Sequence, residues 1–320
     1  MNRKAVYLKA SLLFTLCFTS LLLPAQRNSN VLNYSHTINL SDTSDAISGY
    51  SVIDILIEAH SKSLSLDLKN IGANGKGMTV WSAGYKTKGK YFKNFEHSHD
   101  KIILTGDFNS GDTISVAVVY KGVPEDGLII SKNKFGKRTF FADNWPNRAH
   151  HWIPCVDDPA DKATVEFFVF APDHYKVVGN GMLVQETPMK DKMKLTQWKE
   201  DVPLPTKVMV IGVADFAVNL AGMVNDCIPV TSWVYPENIE GFRDYAIAKD
   251  ILQWFVYYIG PYAYPKLANV QSKTIYGGME NAGAIFYAEQ TVNGQRSEER
   301  LFAHEIVHQW FGNMATEKSF

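Results

Sequence analysis

The chain has 320 residues, 46% of them hydrophobic and 20% charged, with a formal net charge of −1 at neutral pH. This composition excludes a disordered chain, and a near-zero charge with no long run of one sign leaves no electrostatic footprint for nucleic acid or an anionic membrane surface. The length exceeds one ordinary core and predicts two domains.

At the N-terminus Arg3, Lys4 and Lys9 precede the apolar run Ala10 to Leu23, which is followed by Pro24-Ala25-Gln26. The run is too short to span a bilayer, so residues 1–25 are expected to be a secretory signal peptide cleaved near Ala25. A secreted or periplasmic destination follows, with no stable membrane span in the mature chain. Cys17 lies inside the run and lacks the small residues that precede a lipidated cysteine. The remaining Cys155 and Cys227 are expected to be buried thiols, because a large core needs no disulfide.

From Val31 to about Phe216 the pattern is mostly β. Ile53, Ile55 and Ile57 alternate with Val52, Asp54 and Leu56, and Ile114, Val116, Val118 and Tyr120 alternate with smaller residues. Clusters such as "NIGANGKG" and "FNSGD" punctuate the strands. An antiparallel β domain over residues 27–230 is expected, with a second domain over 231–320. After "VYPE" the period changes, and Phe242, Tyr245, Ala246, Leu252, Phe255, Val256 and Ile259 fall on one helical face that ends at Gly260-Pro261. "KLANVQSKTIYGGMEN" then reads as a strand and its turn. Gly277 and Gly278 would let an extended substrate backbone approach the sheet edge, and Glu280 could hold an α-ammonium group.

The final stretch predicts a helix with Ser297 as N-cap, Glu298 and Glu299 in the first turn, an apolar body of Leu301, Phe302, Ile306, Val307 and Trp310, and a stop at Gly312. Residues four apart on a helix stack one turn above each other, so His304 and His308 can direct their imidazoles at a single zinc ion. Glu305 then stands beside the metal as a candidate general base for hydrolysis.

Taken together, Gly277-Gly278-Met279-Glu280-Asn281 and His304-Glu305-Ile306-Val307-His308-Gln309-Trp310-Phe311-Gly312-Asn313 resemble the paired signature of the aminopeptidase N family of gluzincin metallopeptidases. "HWIPCVDDPADKATVEFFVFAP" and "PLPTKVMVIGVADF" are similar to further segments of that family. The resemblance implies a mostly β, saddle-like N-terminal domain followed by the start of an α+β thermolysin-like catalytic domain. It also implies one zinc ion per complete catalytic domain and peptide substrates with a free N-terminus, bound by Gly277, Gly278, Met279, Glu280 and Asn281.

The resemblance also marks two departures. The family's third zinc ligand is a glutamate eighteen residues after the second histidine, which corresponds to position 327, whereas the chain ends at Phe320. A fragment inactive by itself is therefore expected, with Glu317 as the sole carboxylate side chain after His308. The metzincin pattern offers no substitute, because Phe311 and Met314 stand where it requires Gly and His. The family's amine-holding Gln or Glu corresponds to Trp145, with Asp143 and Asn144 as the polar neighbours, while His150 and His151 read as structural or surface residues. Two other functions fit parts of the pattern. One is a non-enzymatic secreted β-rich binding module that has lost its catalytic half; the other is an epoxide hydrolase of the leukotriene hydrolase type.

Overall fold

Alternation at period two buries one face of each long strand. In Ile47–Ile57 the side chains of Ile53, Ile55 and Ile57 are buried while Val52, Asp54 and Leu56 are half-buried, and Thr113–Val123 buries Ile114, Val116, Val118 and Tyr120. These strands belong to a computed structural model that describes residues 28–320, so the expected signal peptide lies outside the described residues.

The largest sheet has eight strands in the order Met182–Pro188, Met193–Pro205, Lys162–Pro172, Ser29–Asn39, Ile47–Ile57, Thr113–Val123, Gly77–Thr87 and Lys90–Phe92. The wholly antiparallel arrangement expected from the sequence is corrected at one pairing, because Ser29–Asn39 runs parallel to Lys162–Pro172. A three-stranded sheet of Ser61–Asp67, Lys101–Phe108 and Phe95–Ser98 contributes Leu64, Leu66, Ile102 and Leu104 to the same buried core. A four-stranded sheet, ordered Lys176–Gly179, Ile211–Ala214, Arg138–Ala142 and Leu128–Lys132, leads toward the C-terminal layer.

That layer is a five-stranded mixed sheet in the order Ala217–Val224, Ile228–Val234, Leu267–Ser272, Ala284–Ala288 and Gly278–Met279. Its ladder starts ahead of residue 231, where the sequence places the division between domains. Leu267–Ser272 and Ala284–Ala288 are buried along their whole length, as parallel strands covered on both faces must be. The crossover between Ile228–Val234 and Leu267–Ser272 carries two helices, Gly241–Tyr245 and Ile247–Tyr258, where the periodicity predicts one continuous face. Tyr245, Ala248 and Leu252 are buried, but Ile259 lies past the helix end and is exposed, as are Trp254, Tyr257 and Tyr258.

Polar groups lock this layer to the four-stranded sheet. Asn180 Nδ2 donates to the carbonyls of Val208 and Ala282 at 2.8 Å each, and Lys266 Nζ donates to those of Gly179 and Gly283 at 2.8 Å each. Phe141 meets Phe286 edge-on at 5.5 Å. The architecture is mostly β, followed by a mixed strand-and-helix layer. No helix among the described residues is long and apolar enough to cross a membrane.

Candidate active site

The helix Glu299–Val307 is held by packing. Phe302 sits 5.4 Å from the Tyr245 ring and 4.5 Å from the Tyr287 ring, and Ile306 is fully buried beside it. The expected Ser297 cap is corrected: Glu298 occupies the cap position without a side-chain bond to the helix, while the Ser297 hydroxyl donates to the Glu298 carboxylate at 3.0 Å. Beyond the helix the chain tightens through turns to Gly312, whose φ of +135° favours glycine.

The two histidines face each other, with His304 Nε2 and His308 Nε2 3.2 Å apart and ring planes at 88°. His308 Nδ1 lies 2.8 Å from the Phe311 carbonyl, which can only accept, so Nδ1 carries the hydrogen and Nε2 presents its lone pair. Two nitrogens on a tetrahedral zinc at bond lengths of ~2.0–2.1 Å are separated by about 3.3 Å. The observed spacing therefore fits a shared metal. Among the described residues no group of three or more His, Cys, Asp or Glu side chains is placed to hold a metal. Glu317 lines the same cavity, but both its oxygens accept from Lys207 Nζ, at 2.6 and 2.7 Å.

Glu305 is 4% exposed, and burial, followed by the charge of Glu280, pushes its carboxyl up to about 8. A cation at the histidine pair would oppose both effects and favour the carboxylate. Gly278, in the edge strand, stands directly against it: a Cβ there would lie 2.4 Å from Glu305 Oε1 and 2.5 Å from its Cδ. Gly277 is exposed and meets only Leu301, at 3.7 Å, so the close approach expected of both glycines belongs to Gly278.

Glu280 is half-buried on the wall of a cavity of about 440 Å³ shared with His304, Glu305 and His308. Its carbonyl accepts from Gln309 Nε2 at 2.9 Å and from Asn313 Nδ2 at 2.7 Å, while Gln309 Oε1 accepts from the Gly283 amide at 2.9 Å. Sequence reasoning missed Gln309 and Asn313 as the residues that fix this loop. The available signal was a buried-side polar residue four positions after Glu305. Met279 is buried and also lines the cavity. Asn281 is fully buried beneath the loop, away from the cavity lining, so the structure does not bring its side chain to a substrate.

Trp145 reaches the cavity, whereas its polar neighbours turn inward. Asp143 pairs with Arg148 and accepts from Thr274 Oγ1 at 3.1 Å; Asn144 bonds the carbonyls of Thr206 and Met209 and the Trp152 indole. His150 pairs with Asp157 at 2.8 Å and packs against His151, away from the histidine pair of the helix. Cys155 is a buried thiol that burial pushes well above its ordinary range; Cys227 is free and exposed, which corrects the expectation of two buried thiols.

Residues 30–208 match the Peptidase M1 N-terminal domain and residues 244–320 the Peptidase family M1 domain. Over 187 residues the chain is 31% identical to glutamyl aminopeptidase of Homo sapiens, an alignment covering 54% of this chain and 19% of the relative. It is 28% identical to tricorn protease-interacting factor F2 of Thermoplasma acidophilum over 70% of this chain and 29% of the relative. It is also 28% identical to leucyl aminopeptidase of Saccharolobus solfataricus over 62% of this chain and 25% of the relative. The chain thus spans between about a fifth and a third of the length of these relatives. With the N-terminal match covering more than half of its residues, the chain belongs to peptidase family M1.

Proposed function

We propose that the chain carries the N-terminal domain and the opening of the catalytic domain of an exported zinc aminopeptidase. The observation that carries the reading is the pair of facing histidine nitrogens, 3.2 Å apart, beside the buried Glu305 and in one cavity with Glu280. A zinc ion held by His304 and His308 would act as a Lewis acid toward the scissile carbonyl. Glu305 takes the proton of the attacking water and returns it to the leaving amine. The Gly278–Met279 edge, paired on one side only within its sheet, lies where an extended backbone can add beside it, and the Glu280 carboxylate receives the substrate ammonium.

The names of two of the relatives, glutamyl and leucyl aminopeptidase, support the reaction class. The third zinc ligand belongs, in this reading, to a part of the protein outside these 320 residues. Export rests on the basic, then apolar, pattern of residues 3–25, and sequencing the N-terminus of the mature protein tests it.

In the full-length protein Glu305→Gln is expected to retain stoichiometric zinc while kcat falls about 10³-fold; undiminished turnover by that variant would remove Glu305 from the role of base. Acetylating the substrate amine is expected to abolish cleavage. Equal cleavage of acetylated and free peptides would instead show an endopeptidase.

A further inference from the structure

We propose that the cavity beside the histidine pair selects substrates with an apolar N-terminal side chain, aromatic above all, and that Trp145 and Tyr276 set this choice. The proposal rests on the aminopeptidase reading and adds the substrate class. At the position where the family resemblance places an amine-holding Gln or Glu, this chain has an indole. The indole meets the Tyr276 ring edge-on, with centroids 6.1 Å apart and planes at 75°. Both rings line the cavity while remaining 38% and 36% exposed, so part of each is open to an incoming group.

The two rings come from different layers, and one buried carboxylate braces both. Asp143 binds the Arg148 guanidinium, whose Nε donates to the Trp145 carbonyl at 3.0 Å. The same Asp143 accepts from Thr274 Oγ1, which in turn accepts from the Tyr276 amide at 3.4 Å. Asp143 is 1% exposed, so this brace works in a desolvated setting. The wall is therefore formed before a substrate arrives, which reduces the ordering a bound side chain must impose.

The charges of the cavity point the same way. Among the described residues the Lys or Arg side chain that lines it is Lys207, and Glu317 already engages that ammonium through both oxygens. Glu280 and Glu305 supply two further carboxyl groups. Among the described residues a substrate carboxylate would find like charge and no unpaired side-chain cation in the cavity lining, whereas an apolar side chain leaves water for two aromatic surfaces.

The test uses the full-length zinc-loaded protein with aminoacyl coumarylamides of Phe, Leu, Ala, Glu and Lys. Burial of a phenyl group is expected to raise kcat/KM for Phe over Ala by roughly tenfold to a hundredfold, and Glu is expected to fall below Ala. Trp145→Gln should collapse the Phe to Ala ratio, and Trp145→Leu, which keeps the wall apolar, should lower Phe relative to Leu. Calorimetry of Phe-amide and Ala-amide on the Glu305→Gln variant reads the same choice without turnover. A preference for Glu or Lys, equal use of Phe and Ala, or a Phe to Ala ratio unmoved in both Trp145 variants would overturn the proposal. Tighter binding of Phe-amide with no turnover of any substrate would overturn the aminopeptidase reading and leave the selectivity standing.

Discussion

At Gly278 the chain has no room for a branched side chain, because the space a Cβ would fill is occupied by the carboxyl end of Glu305. An alanine methyl can be met by a swing of that flexible side chain. A valine cannot, since its methyls would displace the carboxyl from the cavity and drive the edge strand outward. Gly278→Val is therefore expected to lower kcat by about 10²-fold, the scale on which an ångström of misplacement acts on a positioned base. The fold should survive, because the change falls in a two-residue strand at the edge of its sheet. Steady-state kinetics with a parallel thermal melt decide it: unchanged kcat would show that Glu305 works from another position than the one observed.

One element further out, the loop that carries Glu280 depends on Gln309, just beyond the end of the helix Glu299–Val307. Its amide bonds the Glu280 carbonyl and the Gly283 amide at once, and it is 1% exposed. Gln309→Ala leaves the Gly283 amide without its partner, at a cost of about 1–3 kcal/mol, and leaves the Glu280 carbonyl held by Asn313 alone of the two side chains. We expect a lower Tm and a raised KM for free-amine substrates, because Glu280 is carried by the released loop; a KM equal to that of the unaltered protein would separate Gln309 from the site. None of this could be read from spacing, which places residues on one face of their own helix but does not name a partner 29 positions away. Strands such as Thr113–Val123 were legible because burial of one sheet face writes period two into the sequence. The His304–Glu305–His308 triplet was legible because the helix itself supplies its geometry. Ser297 misled because Asn293 and Glu298 engage its hydroxyl, and the 242–259 face misled because the helix breaks after Tyr245.

At the scale of the whole molecule, His36 contributes to acid sensitivity. Its strand, Ser29–Asn39, lies in the middle of the eight-stranded sheet between Ile47–Ile57 and Lys162–Pro172. The imidazole is fully buried, stacked 5.4 Å from Tyr34 and 5.5 Å from Phe167, with Nδ1 on the Ser51 hydroxyl at 2.8 Å and no hydrogen-bond partner at Nε2 among the described residues. Nothing there stabilises a second proton, and burial pushes the group down to about 3 from its ordinary 6.5. Between those two pH values the unfolded chain binds a proton that the folded chain refuses, so unfolding is favoured as pH falls. The contribution is fully present above pH 6.5 and is lost progressively down to about pH 3. The slope is about 1.4 kcal/mol per pH unit, so roughly 2–3 kcal/mol is lost by about pH 4.5. His36→Gln keeps a group able to bond Ser51 and removes the titration. Urea midpoints from pH 7 to 4.5 should fall less steeply for that variant than for the unaltered protein, and the two curves should converge toward acid. Parallel curves would show that His36 takes up its proton in the folded state and that the acid sensitivity resides elsewhere.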